Sequence, residues 1–463
     1  MPYLRDLYSV KKSAKGGSAY GRKKEARQTH PKKSKQKTFW PIAIIVLFII
    51  LAIANILYTG PALASYLTKT IVPISLFRDG KYLIIFQNNA ELRSTGGFIG
   101  SYGVAQIKNL ELENLDFNTN IYKMDNAYMR SNFVEAPERL KQFLKGKSWT
   151  LRDSNYDVSF PEAAEDISNF YEKESQDTID GVVAINAKVI VDLLKLTGPV
   201  VVDETRVDAE NFYDVTQFAV EKGYFLNPEN WLVNEPKSFL KKLYPVVLEK
   251  AFKENKLGFI KLILRELREK QIMFYFKDPR LEKVAREKNW AGQVYSDEEL
   301  KGFFQGDALV DYLYINANNY SGNKSSLSVK QKITYEVSNN KANLTLTRIH
   351  KGTNVWPDGP NNSYIRILVP EGSWLEGATL NGRNIFYKVK TLEEAGKTVF
   401  AIDVNISPGE AAVLNLSYSL AREINPYRIV IQKQSGTVDD VLEVKYFDKT
   451  IYNGLLDQDK FIQ

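Results

Sequence analysis

Two stretches of this chain gather side chains that could hold an anion and move a proton. The first is Gln87-Asn88-Asn89-Ala90-Glu91-Leu92-Arg93-Ser94-Thr95-Gly96-Gly97. Arg93 can grip a phosphate or carboxylate in a planar fork, and Gly96-Gly97 can turn backbone N–H groups toward an anion. Asn88 adds an amide, and Glu91 a base or metal ligand. The same residues also suit an ordered hairpin loop, with Asn side chains capping backbone and Glu91 paired to Arg93. The second stretch, Trp149–Asp157, sets Arg152 beside Asp153. That is an anion clamp next to a base or Mg²⁺ ligand, or else a surface ion pair leading into a helix. Asp125 is a third acid. Asn316, Asn318, Asn319 and Lys324 read as a polar linker. The candidate set is therefore Asp153 and Glu91 as catalytic groups, Arg93, Arg152, Gly96, Gly97 and Asn88 as the anion site, and Asp153 as metal ligand.

The rest of the composition limits the chemistry. The chain has 463 residues, no cysteine and two histidines, His30 and His350. Thiolate chemistry and disulfides are excluded. The region that carries the two clusters has no histidine, so a Ser-His-Asp triad and a His-ligated zinc are excluded there. No nucleotide-binding glycine pattern occurs. Catalysis would rest on carboxylates, Arg, Lys or an oxygen-bound metal such as Mg²⁺.

The elements that must position these residues follow from the pattern. Tyr82–Phe86 is an apolar run of strand length, and Phe98–Ile107 a second strand after the Gly96-Gly97 turn. Pro161–Glu172 and Ala187–Leu196 read as helices. Gly181–Ile185, Val200–Val202, Met273–Phe276 and Leu309–Asn316 read as strands. Residues 208–270 are mostly helical in pattern, with Asp208 as N-cap, and Asp278-Pro279 opens another helix. These alternations imply one α/β domain over residues 80–322. After Lys324 the pattern changes to alternating runs at Val329–Val337, Ala342–His350, Tyr364–Val369, Val399–Val404, Ala412–Tyr418, Tyr427–Gln432 and Leu442–Phe447. They imply an immunoglobulin-like β-sandwich over residues 325–450, with 451–463 as a C-terminal tail.

The N-terminal end reads as a membrane anchor. Residues 1–38 hold twelve Lys or Arg against two acids, whereas the whole chain carries only +7. This tail is expected to be disordered, cytoplasmic and attracted to anionic lipid rather than to nucleic acid. Trp40–Tyr58 then runs without a charge. A helix there rises about 28 Å, close to the hydrocarbon thickness. Residues 39–58 are expected to cross the cell membrane once, with 59–79 as connector and everything beyond outside the cytoplasm. Cleavage near Pro61–Ser65, as at a signal peptide, is the other reading.

Several words of the sequence resemble one family in order. FQNNAELRSTGGFIG (86–100), LRDSNYDVSFP (151–161), DGVVAIN (180–186) with LLKLTGPV (193–200), Ile315–Lys324 and YRIVIQKQSG (427–436) are similar to the bacterial domain of unknown function 4012. A further likeness is to the LytR–CpsA–Psr family, whose outer domain transfers a polyprenyl-pyrophosphate-linked glycan to the cell wall with Mg²⁺. It implies that Arg152 and Asp153 lie in a phosphate-binding segment and that Arg93 is a further phosphate contact. The Asn-Asn-Ala-Glu-Leu-Arg loop departs from that family's shorter loop. Two expectations follow: an envelope protein that binds or transfers a lipid-linked glycopolymer, or a non-catalytic surface module that binds a glycan or partner protein.

Overall fold

Strand β1 (Gly80–Arg93) shows why the first lobe forms around it. Tyr82, Ile84 and Phe86 point to one face and Leu83 and Ile85 to the other, and all five are buried. A run that is apolar on both faces must be covered on both. The computed structural model describes residues 79–109, 111–223, 237–304, 309–320 and 322–463. The expected tail, membrane span and nearly all of the connector lie outside them. Among the described residues, no helix is long and apolar enough to cross a membrane.

From β1 the chain turns into β2 (Gly96–Lys108) and β3 (Glu111–Asn118), then helices α1 (Ile121–Tyr128), α2 (Glu138–Leu144) and α3 (Phe160–Ser175). It returns as β4 (Gly181–Asn186), which pairs in parallel with β1, and continues into α4 (Lys188–Thr197). A separate hairpin, β5 (Val200–Val202) with β6 (Thr205–Val207), leads to α5 (Phe212–Gln217). Next come α6 (Ser238–Glu254), α7 (Lys256–Arg268), β7 (Ile272–Phe276), α8 (Pro279–Glu287) and α9 (Asp297–Gly302). The sheet order is β3-β2-β1-β4-β7. One core lies under α4, α6 and α7, and the other under α1 and α3, giving an α/β/α sandwich.

The local signals mostly hold. Asp278 accepts the Arg280 N–H at 2.9 Å and Pro279 opens α8. Asp208 does not cap a helix: its carboxylate takes the N–H groups of Glu210 and Asn211, and α5 starts four residues later. An Asp closes such a turn as readily as it caps a helix, so the residue type alone does not decide.

The second lobe begins with β8 (Asp311–Asn319), then β9 (Val329–Ser338), β10 (Lys341–His350), β11 (Asn361–Val369), β12 (Trp374–Leu380), β13 (Arg383–Asn384) and β14 (Lys390–Glu394). It ends with β15 (Lys397–Ile406), β16 (Ala411–Ser419), β17 (Ile429–Gln432), β18 (Val441–Tyr446), β19 (Lys449–Leu455) and β20 (Lys460–Ile462). Two sheets, β13-β12-β16-β10-β9-β18-β19 and β14-β15-β11-β8-β17-β20, enclose one core that includes Ile315, Ile367 and Phe400 from one side and Tyr335, Leu346 and Leu416 from the other.

Two boundaries differ from expectation. Residues 309–316 were expected to end the α/β domain. Instead β8 lies between β11 and β17 in the six-stranded sheet. Every residue of β8 is buried, and a strand covered on both faces carries no signal of which sheet it joins. Residues 451–463 are not a tail: they complete β19 and form β20 at sheet edges.

Candidate functional site

The 87–97 loop packs against β8 and the segment after β17, and the contacts are dense. Ser94 Oγ donates to Asn318 Oδ1 at 2.8 Å, and Asn316 Nδ2 donates to the Ser94 carbonyl at 2.9 Å. Gln434 Nε2 reaches the Arg93 carbonyl at 3.0 Å, and Arg366 Nη2 reaches Ser94 Oγ at 2.6 Å. Asn155 Nδ2 donates to Gln87 Oε1 and the Gly97 carbonyl, both at 2.9 Å. Asn186, ending β4, donates to Ser435 Oγ at 2.9 Å. The polar words of the sequence thus hold one another across a buried seam. Asn316, Asn318 and Asn319 are part of it, not of a solvated linker.

Within the seam the expected anion clamp is occupied. Arg93 is 3% exposed. Its Nη2 pairs with Glu91 Oε1 at 2.7 Å and its Nη1 donates to the Asn319 carbonyl. The rings of Phe98, Phe143 and Tyr320 surround it with centroids 5.3–5.6 Å away. The other oxygen of Glu91 takes Lys324. Burial pushes the Glu91 carboxyl up, but Arg93 and Lys324 outweigh it and hold the group below its usual range. A carboxylate held by two cations is a poor base. Gly96 and Gly97 are buried and pair with Arg93 and Leu92 across the hairpin. A Cβ on Gly97 would lie 2.1 Å from the Asn88 carbonyl carbon, so these glycines serve close packing.

Arg152 and Asp153 form a second closed group. Arg152 Nη1 lies 3.1 Å from Asp125 Oδ2, and its Nε 3.4 Å from Asp153 Oδ2. Burial raises the Asp153 carboxyl, against the pull of Arg93 and Arg152. Among the described residues no three of His, Cys, Asp and Glu gather as a metal site. A divalent cation at Asp153 would meet a guanidinium, so these residues do not fit Mg²⁺.

Behind Asp125 lies Glu174. Asp125 Oδ1 and Glu174 Oε2 are both buried without a partner. Burial pushes both carboxyls up; Asp125 raises Glu174 further, whereas Arg152 and then Glu174 pull Asp125 down. The guanidinium of Arg152 also stacks 5.0 Å from the ring centroid of Tyr122.

Tyr122 is a wall of a cavity of about 670 Å³ at the carboxyl ends of the parallel strands β1 and β4. That is where α/β sheets bind ligands. Seven rings line it: Phe86, Phe98, Tyr122, Phe212, Tyr213, Tyr244 and Trp356. Asn88, Gln87 and Asn186 give it amides, and Lys237 and Lys324 give it cations. Of the seven residues singled out from sequence, Asn88 lines the cavity and the other six do not. Lys237 Nζ donates to the Gly100 carbonyl and stands 5.9 Å from the Tyr122 ring centroid. Among the described residues it has no ion pair. Burial pushes its ammonium down to about 7, Lys324 acts in the same direction, and Glu91 and Glu221 oppose them. Across the mouth, Trp356 Nε1 donates to Glu221 Oε2 at 2.9 Å. Sequence reading missed Lys237, Tyr122 and Trp356, because no spacing marks residues that meet only through the fold.

With this geometry in place, residues 79–220 match the family described as Protein of unknown function (DUF4012). That stretch, under a third of the chain, is similar to the family. The matched segment runs from β1 through α5 and supplies the floor of the cavity, while Lys237, Lys324 and Trp356 lie beyond it. No match is found among curated proteins. Among solved structures, a candidate nutrient-binding protein from Legionella pneumophila is 11% identical, with a TM-score of 0.22, and the overlap spans 30% of this chain and 56% of that one. An M1 zinc metallopeptidase from Deinococcus radiodurans is 13% identical, with a TM-score of 0.13, over 25% of this chain and 32% of that one. Scores this low carry no argument about fold or function.

Proposed function

We propose that this protein is a membrane-anchored, extracytoplasmic binding module, and that the cavity at the ends of β1 and β4 seats an anionic ligand with an apolar or sugar body. One observation carries this reading: a half-buried lysine, Lys237, with no carboxylate partner among the described residues, sits beside Lys324 in a large cavity that seven aromatic rings help to line. An unpaired ammonium in such a place calls for an anion. Aromatic walls accept either alkyl chain or sugar faces, and the amides of Asn88 and Gln87 suit hydroxyl groups. A lipid-linked glycan phosphate has all of these parts. The charged tail and apolar run of residues 1–58 support an anchor that keeps the cavity near a bilayer.

Binding is favoured over phosphoryl transfer, because Arg93, Arg152, Glu91 and Asp153 are committed to pairs with one another and with Asp125 and Lys324. The test is a titration of the full chain in detergent with a short polyprenyl pyrophosphate, with the parent alcohol and free pyrophosphate as controls. Saturable binding of the pyrophosphate lipid, weakened at least tenfold in Lys237→Met and unchanged by Mg²⁺, is expected. Equal binding by wild type and Lys237→Met would overturn this reading.

A further inference from the structure

A second cavity, about 170 Å³, is lined by Asn89, Arg348 and Asp440. Asn89 lines it and ties it to a wall residue of the large cavity: its Oδ1 accepts from Tyr213 at 2.9 Å, and its Nδ2 donates to the Gly436 carbonyl of the small cavity at 3.1 Å. The volume is far above the roughly 10–15 Å³ that one water needs. Arg348 lines it from the inner face of β10 and is 4% exposed.

The guanidinium is under-satisfied. Nη2 makes one long contact, 3.4 Å to Asn361 Oδ1. Nε and Nη1 are buried and have no partner. Among the described residues, no carboxylate pairs directly with it. Buried guanidinium groups are almost always paired, because an uncompensated charge out of water is costly. The other charged group inside the cavity is Asp440. Its Oδ2 already accepts from Gln331 Nε2 at 3.1 Å. Burial pushes the Asp440 carboxyl up to about 6, with Lys433 and Arg348 pulling the other way. At the rim, Lys330 pairs with Asp439 at 3.5 Å and so leaves the cavity's internal balance unchanged.

We propose that this cavity binds a small oxyanion of the sulfate, phosphate or carboxylate class on the free N–H groups of Arg348, and that the anion enters together with a proton on Asp440. The coupling is electrostatic. With Asp440 ionised, the anion faces a carboxylate across a small space; with Asp440 neutral, Arg348 is left as the charge to be matched and the carboxyl O–H becomes a further donor. The site is separate from the one proposed for the large cavity and does not depend on it.

Sulfate tests this cleanly, since its charge is constant across the pH range used. The full chain in detergent is titrated by calorimetry at constant ionic strength, at pH 5.0 and 7.5, in a Lys237→Met background that silences the large cavity. Binding about tenfold tighter at pH 5.0 is expected from a carboxyl that titrates near 6. Arg348→Met should abolish it. Asp440→Asn keeps the acceptor for Gln331 and removes the charge, so it should bind at pH 7.5 as tightly as the parent does at pH 5.0. Absence of binding at both pH values, which leaves the cavity to water, would overturn the proposal. So would an Asp440→Asn protein that keeps the parent's pH dependence.

Discussion

Lys324 and Glu91 are 233 residues apart in the chain and meet as an ion pair, on the carboxylate that also holds Arg93. One acid is thus shared by two cations at the seam between the lobes. Glu91→Gln leaves both cations without a counter-charge. The expected loss is about 3–5 kcal/mol of unfolding free energy, the usual cost of breaking a buried pair from one side. Urea denaturation measures it. A loss below about 1 kcal/mol would show that the pair is not structural.

The Asp125–Glu174 pair sets a pH dependence. Burial, then Asp125, pushes the Glu174 carboxyl from its ordinary 4.5 up to about 8. A carboxyl raised in the folded state binds protons more tightly there than in the unfolded chain. Its stabilising contribution is complete below about 4.5 and is lost as pH rises through about 8. Stability should therefore fall between pH 5 and 9, and Glu174→Gln should flatten that slope. Denaturation series at pH 5, 7 and 9 compare the two proteins.

Anion binding in the large cavity should depend on Lys237. Its ammonium titrates at about 7, so affinity for a lipid pyrophosphate should fall as pH rises past that point. Lys324→Met should have a mixed effect, weakening binding while also leaving Glu91 with one partner. Binding constants measured at pH 6 and 8 read the first effect, and thermal unfolding separates the second.

Gly97 has no room for a side chain. A Cβ there meets the backbone of Asn88 and Asn89 at 2.1–2.3 Å. Gly97→Ala should cost more than about 3 kcal/mol or prevent folding, because backbone cannot move aside as a flexible side chain can. Gly146→Ala is the control: its Cβ would meet nothing within 4 Å, and only its φ of +77° opposes the change.

The periodic elements were legible in the sequence, because burial on one or both faces leaves a period in the residues themselves. The runs at Val329–Val337 and Ala342–His350 appear as β9 and β10 within a residue or two. The short β13 and β14 and the helices α1 and α2 were not legible, since they are brief and mostly solvated. For the candidate residues, sequence composition left a choice between an anion clamp and an ordered hairpin for Glu91 and Arg93, and their mutual 2.7 Å pair is the hairpin's geometry. The cavity was illegible for another reason. Tyr122, Lys237 and Trp356 come from three distant segments, and only the fold brings them together.

Strands β18 and β20 have a consequence for how the chain can be made. β18 lies beside β9 in one sheet, and β20 lies beside β17 in the other. Asp459, between β19 and β20, also pairs with the buried Lys270 of the first lobe at 2.8 Å. Synthesis reaches these residues only after β9, β17 and Lys270 have been made. Until they arrive, β9 and β17 lack these neighbours and the buried Lys270 lacks its ion pair, so the second lobe cannot close around its core before this late segment is made. A chain stopped short of Asp459 should be a substrate for quality-control proteases rather than a smaller working protein.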